Sequence, residues 1–390
     1  MKSLDFQAWL LGWDGYRLRL LANLTEFSVT RNIKDGGGIQ VTLDAATASS
    51  IPALPLLTVE RGWDGAAPSY MDTFVLSNRT RSQAARGTRF VTLQGADIGS
   101  WLLGKRGRVA FTHLWVPTFL KDGSTNAMPV LNYAADDGVK RAVDRALLSG
   151  SGSTAHLKNM TSRLRLSVAG NKGQGPMVVV SPDKQTLSSI LDGLRSGSEA
   201  NANTTGRRLY WWWRATDLNP LTLVLETQMD RRGRDLRESA CANPVVLSVE
   251  NGSLSTVSVQ EDMESETNAL AVSYTNASVS YLVMNERAAY SQRTPISYAE
   301  ATYGASATTQ ATALAESQAT LSDGLGRRFS RAGLAFASQS VVYGRDLNFG
   351  DLCTVDYGGI RWDVVVAGEE SRWTPQGVDV TVKLDEYASL

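Results

Sequence analysis

Two stretches near opposite ends of this chain carry one pattern, and a recurring pattern constrains a fold more than any single motif does. LTVERGWDGAAPSYMDTFVLSNRTRSQAARGTRFVTLQ (57–94) matches CTVDYGGIRWDVVVAGEESRWTPQGVDVTVKL (353–384). In each, a Thr-Val pair opens a strand (Thr58-Val59, Thr354-Val355). An aspartate then precedes an apolar pair: Asp72 before Phe74-Val75, and Asp363 before Val365-Val366. A glycine follows (Gly87, Gly377) before a closing β-rich run. In the second copy Gly358-Gly359 separates two β-rich runs, which is a hairpin signal.

The strands upstream repeat as well. LTEFSVTRNIKDGGGIQVTL (24–43) parallels LSTVSVQEDMESETNALAVSY (254–274), with Leu24 and Leu254 each five residues before Val29 and Val259. Val41 and Val272 then mark the next strand of each copy. The repeat implies one β-barrel domain at 1–104 and a second, similar barrel at 245–390, with an α+β segment at 105–244 between them. The second barrel carries a helical insertion at about 275–328. The fold class is mainly β with α insertions (α+β).

The middle third changes character. NYAADDGVKRAVDRALL (132–148) and TLSSILDGLRSG (186–197) read as helices, and RRLYWWWRA and LTLVLETQ as strands. A short helix is expected at 96–103 and a longer one near 306–325, with Gly326 following as its stop. Ala307, Ala311, Leu314, Gln318, Leu321 and Leu325 form one narrow stripe on it.

Composition excludes several function classes. The 39 basic and 39 acidic residues cancel, so no global field favours nucleic acid or acidic membranes. No sequence-specific nucleic-acid partner is expected. No run approaches 18 uncharged apolar residues, so stable membrane insertion is not expected either. Ala8–Trp13 is too short for a secretory core. The expectation is a soluble protein made in a cytoplasm. The two cysteines, Cys241 and Cys353, form no CxxC and read as reduced thiols.

Candidate sites are few. His113 and His156 are the only histidines. Two separated histidines argue against a zinc site or a His-dependent nucleophile, so no catalytic residue, metal or cofactor is assigned. GNKGQG (170–175) lacks the hydroxyl residue after lysine and precedes a strand, so it reads as a flexible loop and not a phosphate cradle. EDMESE (261–266) lacks calcium-loop spacing and reads as a hairpin tip. Trp211-Trp212-Trp213 allows three readings: a doubly buried strand or subunit interface, a sugar platform formed by Trp211 and Trp213, or single-strand stacking with Arg208 and Arg214.

Duplication also has a geometric use. A homotrimer of a chain with two similar modules presents six of them around one axis. Such a ring needs binding surface and no chemistry.

The order of pieces resembles the tail-hub proteins of long-tailed bacteriophages, the family related to baseplate hubs. FSVTRNIKDGGGIQVTLD looks like the family's opening strand, glycine turn and strand. DTFVLSNRTRSQAARGTRFVTLQGADIGSWLLGKRGRV looks like its hairpin leading to a short helix. GRRLYWWWRATDLNPLTLVLETQMDRR is similar to its central strand pair, VVLSVENGSLSTVSVQEDMESETNALAVSY to the start of its second barrel, and YGRDLNFGDLCTV to the penultimate strand there. The resemblance implies a homotrimeric ring with two tube-forming barrels per subunit and a middle domain that is peripheral α/β decoration. It implies a place in the virion, at the tail tip or baseplate, with part of the channel for DNA ejection. Implied partners are the distal or tail-tube hexameric ring, the tape-measure protein, and a fibre or spike protein. Wall-degrading or receptor-binding activity is expected in another protein, because this chain stops at Leu390. The alternative reading is a tail-associated glycan-binding or wall-degrading protein using Trp211 and Trp213.

Overall fold

The computed structural model describes residues 4–21, 24–33, 36–53, 55–63, 69–83, 87, 89–103, 131–148, 164–180, 187–200, 208–261, 267, 269–286, 300–305, 308–323, 328–334, 341–375 and 377–387. The first segment supplies β1 (Leu4–Leu11), β2 (Arg17–Leu20), β3 (Leu24–Asn32), β4 (Gly36–Asp44), α1 (Ala45–Ser49), β5 (Leu56–Trp63), β6 (Ser69–Gln83), β7 (Arg89–Asp97) and α2 (Ile98–Leu102). The middle segment supplies β8 (Leu131–Ala134), α3 (Ala135–Val143), β9 (Arg165–Val168), β10 (Met177–Val180), α4 (Leu187–Ala200), β11 (Leu209–Leu218) and β12 (Leu221–Met229). The last segment holds β13 (Val246–Leu247), β14 (Leu254–Glu261), β15 (Ala269–Asn276), β16 (Val279–Glu286), β17 (Glu300–Gly304), α5 (Gln310–Asp323), β18 (Arg328–Leu334), β19 (Leu352–Tyr357), β20 (Ile360–Thr374) and β21 (Gly377–Glu386).

Local chemistry explains the boundaries. β4 alternates Ile39, Val41 and Leu43 inward with partly or fully exposed Gln40 and Thr42 between them, the period of a half-buried strand. It ends at Asp44, whose carboxylate accepts from Thr47 N at 2.8 Å and caps α1. β7 ends the same way: Asp97 accepts from Ser100 N at 2.8 Å and caps α2. The expected helix at 96–103 therefore begins two residues later, because Ala96 and Asp97 still belong to the strand. Similarly, 131–134 pair as β8 with β10 before α3 begins. At Gly358-Gly359 both φ values are positive (60° and 85°), as a two-residue hairpin turn requires. Asp356 accepts from Gly359 N at 2.9 Å and closes that turn.

The chain is mainly β. Strands of the first and last segments join in one thirteen-stranded sheet. Within it, one strand order occurs twice: β3-β4-β7-β6-β5-β1 and β14-β18-β21-β20-β19-β13. Two bulges recur at matching places. Thr25 in β3 and Ser255 in β14 are skipped by their ladders, and so are Ser77 in β6 and Ala367 in β20. Thr58 faces Thr73 with a hydroxyl contact of 3.0 Å, and Thr354 faces Asp363 with a hydrogen bond of 3.0 Å. The two units differ at the last pair, antiparallel for β1–β5 and parallel for β13–β19.

These ladders correct the sequence alignment in two places. The position matching Asp363 is Thr73, not Asp72, one residue along. The strand matching β4 is β18, not β15. β15 pairs with β16 and β17 in a separate three-stranded sheet covered by α5. β15 has the right length and composition for the strand after β14, so spacing alone cannot tell it from the true partner. The sequence leads one to expect closed barrels. The ladders of the described residues close neither unit: β1 does not pair with β3 nor β13 with β14, and the outer half of β20, still paired with β21 on one edge, takes β3 on the other.

The first unit buries one face along its length and the other only where β1, β5, β6 and α2 meet the middle segment. Phe27, Val29, Val41, Leu57, Phe74 and Leu93 form one core. On the other side Leu11, Leu56, Val75, Ile98 and Leu102 pack with Val139 of α3, Leu191 of α4 and Leu223 of β12. The second unit has its own core around Leu247, Val355, Val364, Val366 and Val382.

Candidate functional site

The candidate site is the joint between the two repeated units. β20 is 15 residues long because its halves serve different partners. Ile360–Val365 pair with β19; beyond the bulge at Ala367, Gly368–Trp373 pair antiparallel with Asn32–Phe27 of β3. A bulge bends and twists a strand, and here it turns the outer half of β20, still paired with β21 on one edge, so that its other edge meets β3. The joint is sealed outside by Trp373 stacked on Phe27, with ring centroids 5.8 Å apart, and by Phe6 edge-on to Phe27 at 5.2 Å.

Inside lies a charged cluster. Glu369 is fully buried and accepts from Arg61 Nη1 at 2.9 Å, Tyr343 Oη at 2.8 Å, Ser371 Oγ at 2.7 Å and Arg31 Nη1 at 3.5 Å. Burial pushes its pKa up, but Arg61, Arg31 and the two hydroxyls outweigh burial and hold it below the ordinary glutamate value. Burial, together with the nearby Glu369 charge, raises the Tyr343 hydroxyl far above its ordinary value, so it stays a donor. Arg31 also reaches Asp72 at 3.6 Å and lies 4.4 Å from the Phe349 ring centroid. Arg232 lies over the same ring at 4.6 Å. Burial, with Arg31 nearby, lowers Arg232 to about 10. Burial, only partly countered by Arg31, pushes Asp72 up to about 6.

A cleft of about 80 Å³ opens beside this cluster, lined by Arg31, Asp72, Asp97, Arg195, Arg232 and the three tryptophans. It is far smaller than the roughly 300–1,000 Å³ of small-molecule sites. Trp213 is 9% exposed and packs in the core. Trp211 is half-buried, with the Arg195 guanidinium 4.1 Å from its ring centroid. Arg232 lies 5.6 Å from the ring of Trp212. Of the flanking arginines, Arg214 is paired with Glu226 at 2.8 Å.

The glycine-rich loop is pinned. Asp137 accepts from Lys172 N and Gly173 N at 3.0 and 3.1 Å, and Asp136 from Gln174 N at 2.7 Å. The backbone donors that a phosphate would need are thus occupied by carboxylates of α3. Lys140, itself buried, reaches Gly170 O at 2.8 Å and Asp136 at 3.3 Å. His113, His156 and most of EDMESE lie outside the described residues. Among the described residues no three His, Cys, Asp or Glu side chains gather as a metal set, and no helix is long and apolar enough to cross a membrane.

Sequence reasoning missed Glu369 and its partners. The available signal was an acid inside the strand AGEESRW, at a position where the copy in the first unit carries Arg79. No protein-family model and no curated sequence matches the chain. Solved structures do. A tail protein from Neisseria meningitidis MC58 is similar at TM-score 0.57 and 13% identity, covering 98% of this chain and 97% of that one. The 43 kDa tail protein of prophage MuSo2 from Shewanella oneidensis is similar at TM-score 0.58 and 11% identity, covering 99% of each. A chain of the Francisella PdpA–VgrG complex is similar at TM-score 0.50 and 9% identity, covering 100% of this chain and 59% of that one. Over nearly its whole length, this chain has the fold of phage and prophage tail proteins.

Proposed function

We propose that this chain is the structural hub of a phage tail tip or baseplate. In this reading it forms a homotrimeric ring that adapts the sixfold tail tube or distal ring to threefold fibres or a spike, and its centre forms part of the DNA channel. The observation that carries the reading is the repeated strand order with its two matching bulges. Three copies then offer six similar units about one axis. The three segments would act as first tube domain (1–104), peripheral domain (105–244) and second tube domain (245–390). Likeness to tail proteins supports a role in the virion and assembly with other tail parts; the tape-measure protein belongs to the proposal as one such part.

One face of the first unit suits a channel wall. Ser28, Thr30, Gln40, Asn78 and Gln94 line it without a charge, and Gln94 donates to Gln40 at 2.8 Å. A neutral wall binds no phosphates through counterion release and lets DNA pass. Across the β3–β20 ladder the same face continues with Glu370 opposite Thr30 and Arg372 opposite Ser28, charges of opposite sign.

No enzymatic activity is proposed. Mass photometry of the purified chain is the direct test, with a trimer expected at about 127 kDa, three times 42.2 kDa. Negative-stain images should show a threefold ring with a central hole. A stable dimer overturns the ring.

A further inference from the structure

The same chain shows both a completed joint and the two halves of an uncompleted one. The completed joint is β20 on β3. By the repeat, β6 is the counterpart of β20 and β14 the counterpart of β3. Among the described residues, β14 ends the sheet and pairs only with β18. The last part of β6, Asn78–Gln83, pairs only with β7. We infer that these two edges join between copies, with β6 of one chain laid antiparallel on β14 of a second copy in the register set by the β3–β20 ladder.

The register follows from the repeat. Glu369 faces Arg31 and Glu370 faces Thr30 within the chain. The corresponding pairs between copies are Arg79 with Glu261 and Thr80 with Gln260. Two observations favour this register. First, charge: the in-chain pair is acid on β20 and base on β3, joined at 3.5 Å, and the pair between copies is base on β6 and acid on β14. The signs are exchanged and the attraction is kept. Second, burial: Gly368, Glu369 and Ser371 are buried under the joint, whereas every residue from Asn78 to Gln83 is exposed. The exposed stretch lacks the neighbour that its copy has. Arg79 is already held in place by the carbonyls of Ile51 at 2.9 Å and Pro52 at 3.3 Å.

An open strand edge is a template for further pairing, and backbone hydrogen bonds give such augmentation its affinity. The joint is heterologous, so copies follow one another head to tail and close as a ring. The inference rests on the ring reading above and adds which edges meet and in what register.

The test is disulfide trapping in a Cys241→Ser background. Thr80→Cys with Gln260→Cys places the two thiols opposite each other, within the 4.4–6.8 Å Cα spacing that a disulfide tolerates. Oxidation should give covalent dimers and trimers on a non-reducing gel. The pair Thr80→Cys with Thr256→Cys, slipped by four residues, should give at least tenfold less. Separately, Arg79→Glu should weaken the trimer at least tenfold, and adding Glu261→Arg should restore it. A trimer by mass photometry that traps no better in register than out of it overturns the joint and leaves the ring reading standing. A chain that stays monomeric and traps nothing overturns both.

Discussion

Arg61 donates to the Glu369 carboxylate at 2.9 Å across 308 positions of sequence, and this contact ties the first repeated unit to the second. Arg61 sits on β5 and Glu369 on the half of β20 that lies between β21 and β3. Their side chains are 8% and 0% exposed, so the pair is desolvated and depends on its hydrogen bonds to Tyr343 and Ser371.

Replacing Glu369 with Gln should leave Arg61 and Arg31 buried beside an uncharged amide. Removing one partner of a buried pair costs about 3–5 kcal/mol. Urea unfolding should show that loss. Arg61→Met and Glu369→Gln should be strongly non-additive, because each removes the same interaction. Additive losses would show that the pair contributes nothing to the joint.

The pH dependence of the joint has two opposed parts. Folding lowers the Glu369 pKa, so its contribution is full above the ordinary value of 4.5 and is lost as pH falls through that range and below. Asp72 behaves oppositely. Its pKa rises from 3.8 to about 6, so its contribution is present below about 4 and is lost as pH rises to about 6. Asp72→Asn removes that second loss. The melting temperature of the variant relative to the parent should therefore climb between pH 4 and pH 6.5, by a few degrees, on the order of 2–3 kcal/mol. A difference that stays flat across that range contradicts the assignment.

Gly95 on β7 lies against the bulge of β6, where a Cβ would fall 2.4 Å from Val75 O and 2.8 Å from Val75 C. Backbone cannot turn aside as a flexible side chain can. Gly95→Ala should cost about 1–3 kcal/mol, measured by thermal unfolding. If it costs nothing, the β6–β7 approach is looser than described.

Trp211→Ala and Trp213→Ala separate the hub reading from the glycan alternative. Trp213 is a core residue, and its loss should cost about 3–5 kcal/mol. Trp211, half-buried under Arg195, should cost less. Neither variant should change retention on cell-wall glycans, because the hub reading predicts none for the parent. Specific retention of the parent, abolished in Trp211→Ala, would revive the platform.

The sequence alone determined what local chemistry dictates. Alternating apolar runs set the strands, Gly358-Gly359 set the last hairpin, and the recurrence of Thr58-Val59 at Thr354-Val355 revealed the duplication. The short helix after β7 was expected, though the reading started α2 two residues early, and α1 was not read at all. Tertiary structure decided the rest, because it turns on which strand meets which. β15 and β18 are both credible successors to β14, and only the ladder chose β18, 67 positions after Glu261 in the case of Arg328. A bulge at Ala367 sends β20 across to β3, and a one-residue insertion of that kind leaves no reliable mark in composition. Glu369 stands beside the exposed Glu370 in the sequence. Its burial beside Arg61 and Arg31 arises only when segments more than 300 residues apart are brought together, so the sequence carried no more than an acid inside a β-rich run.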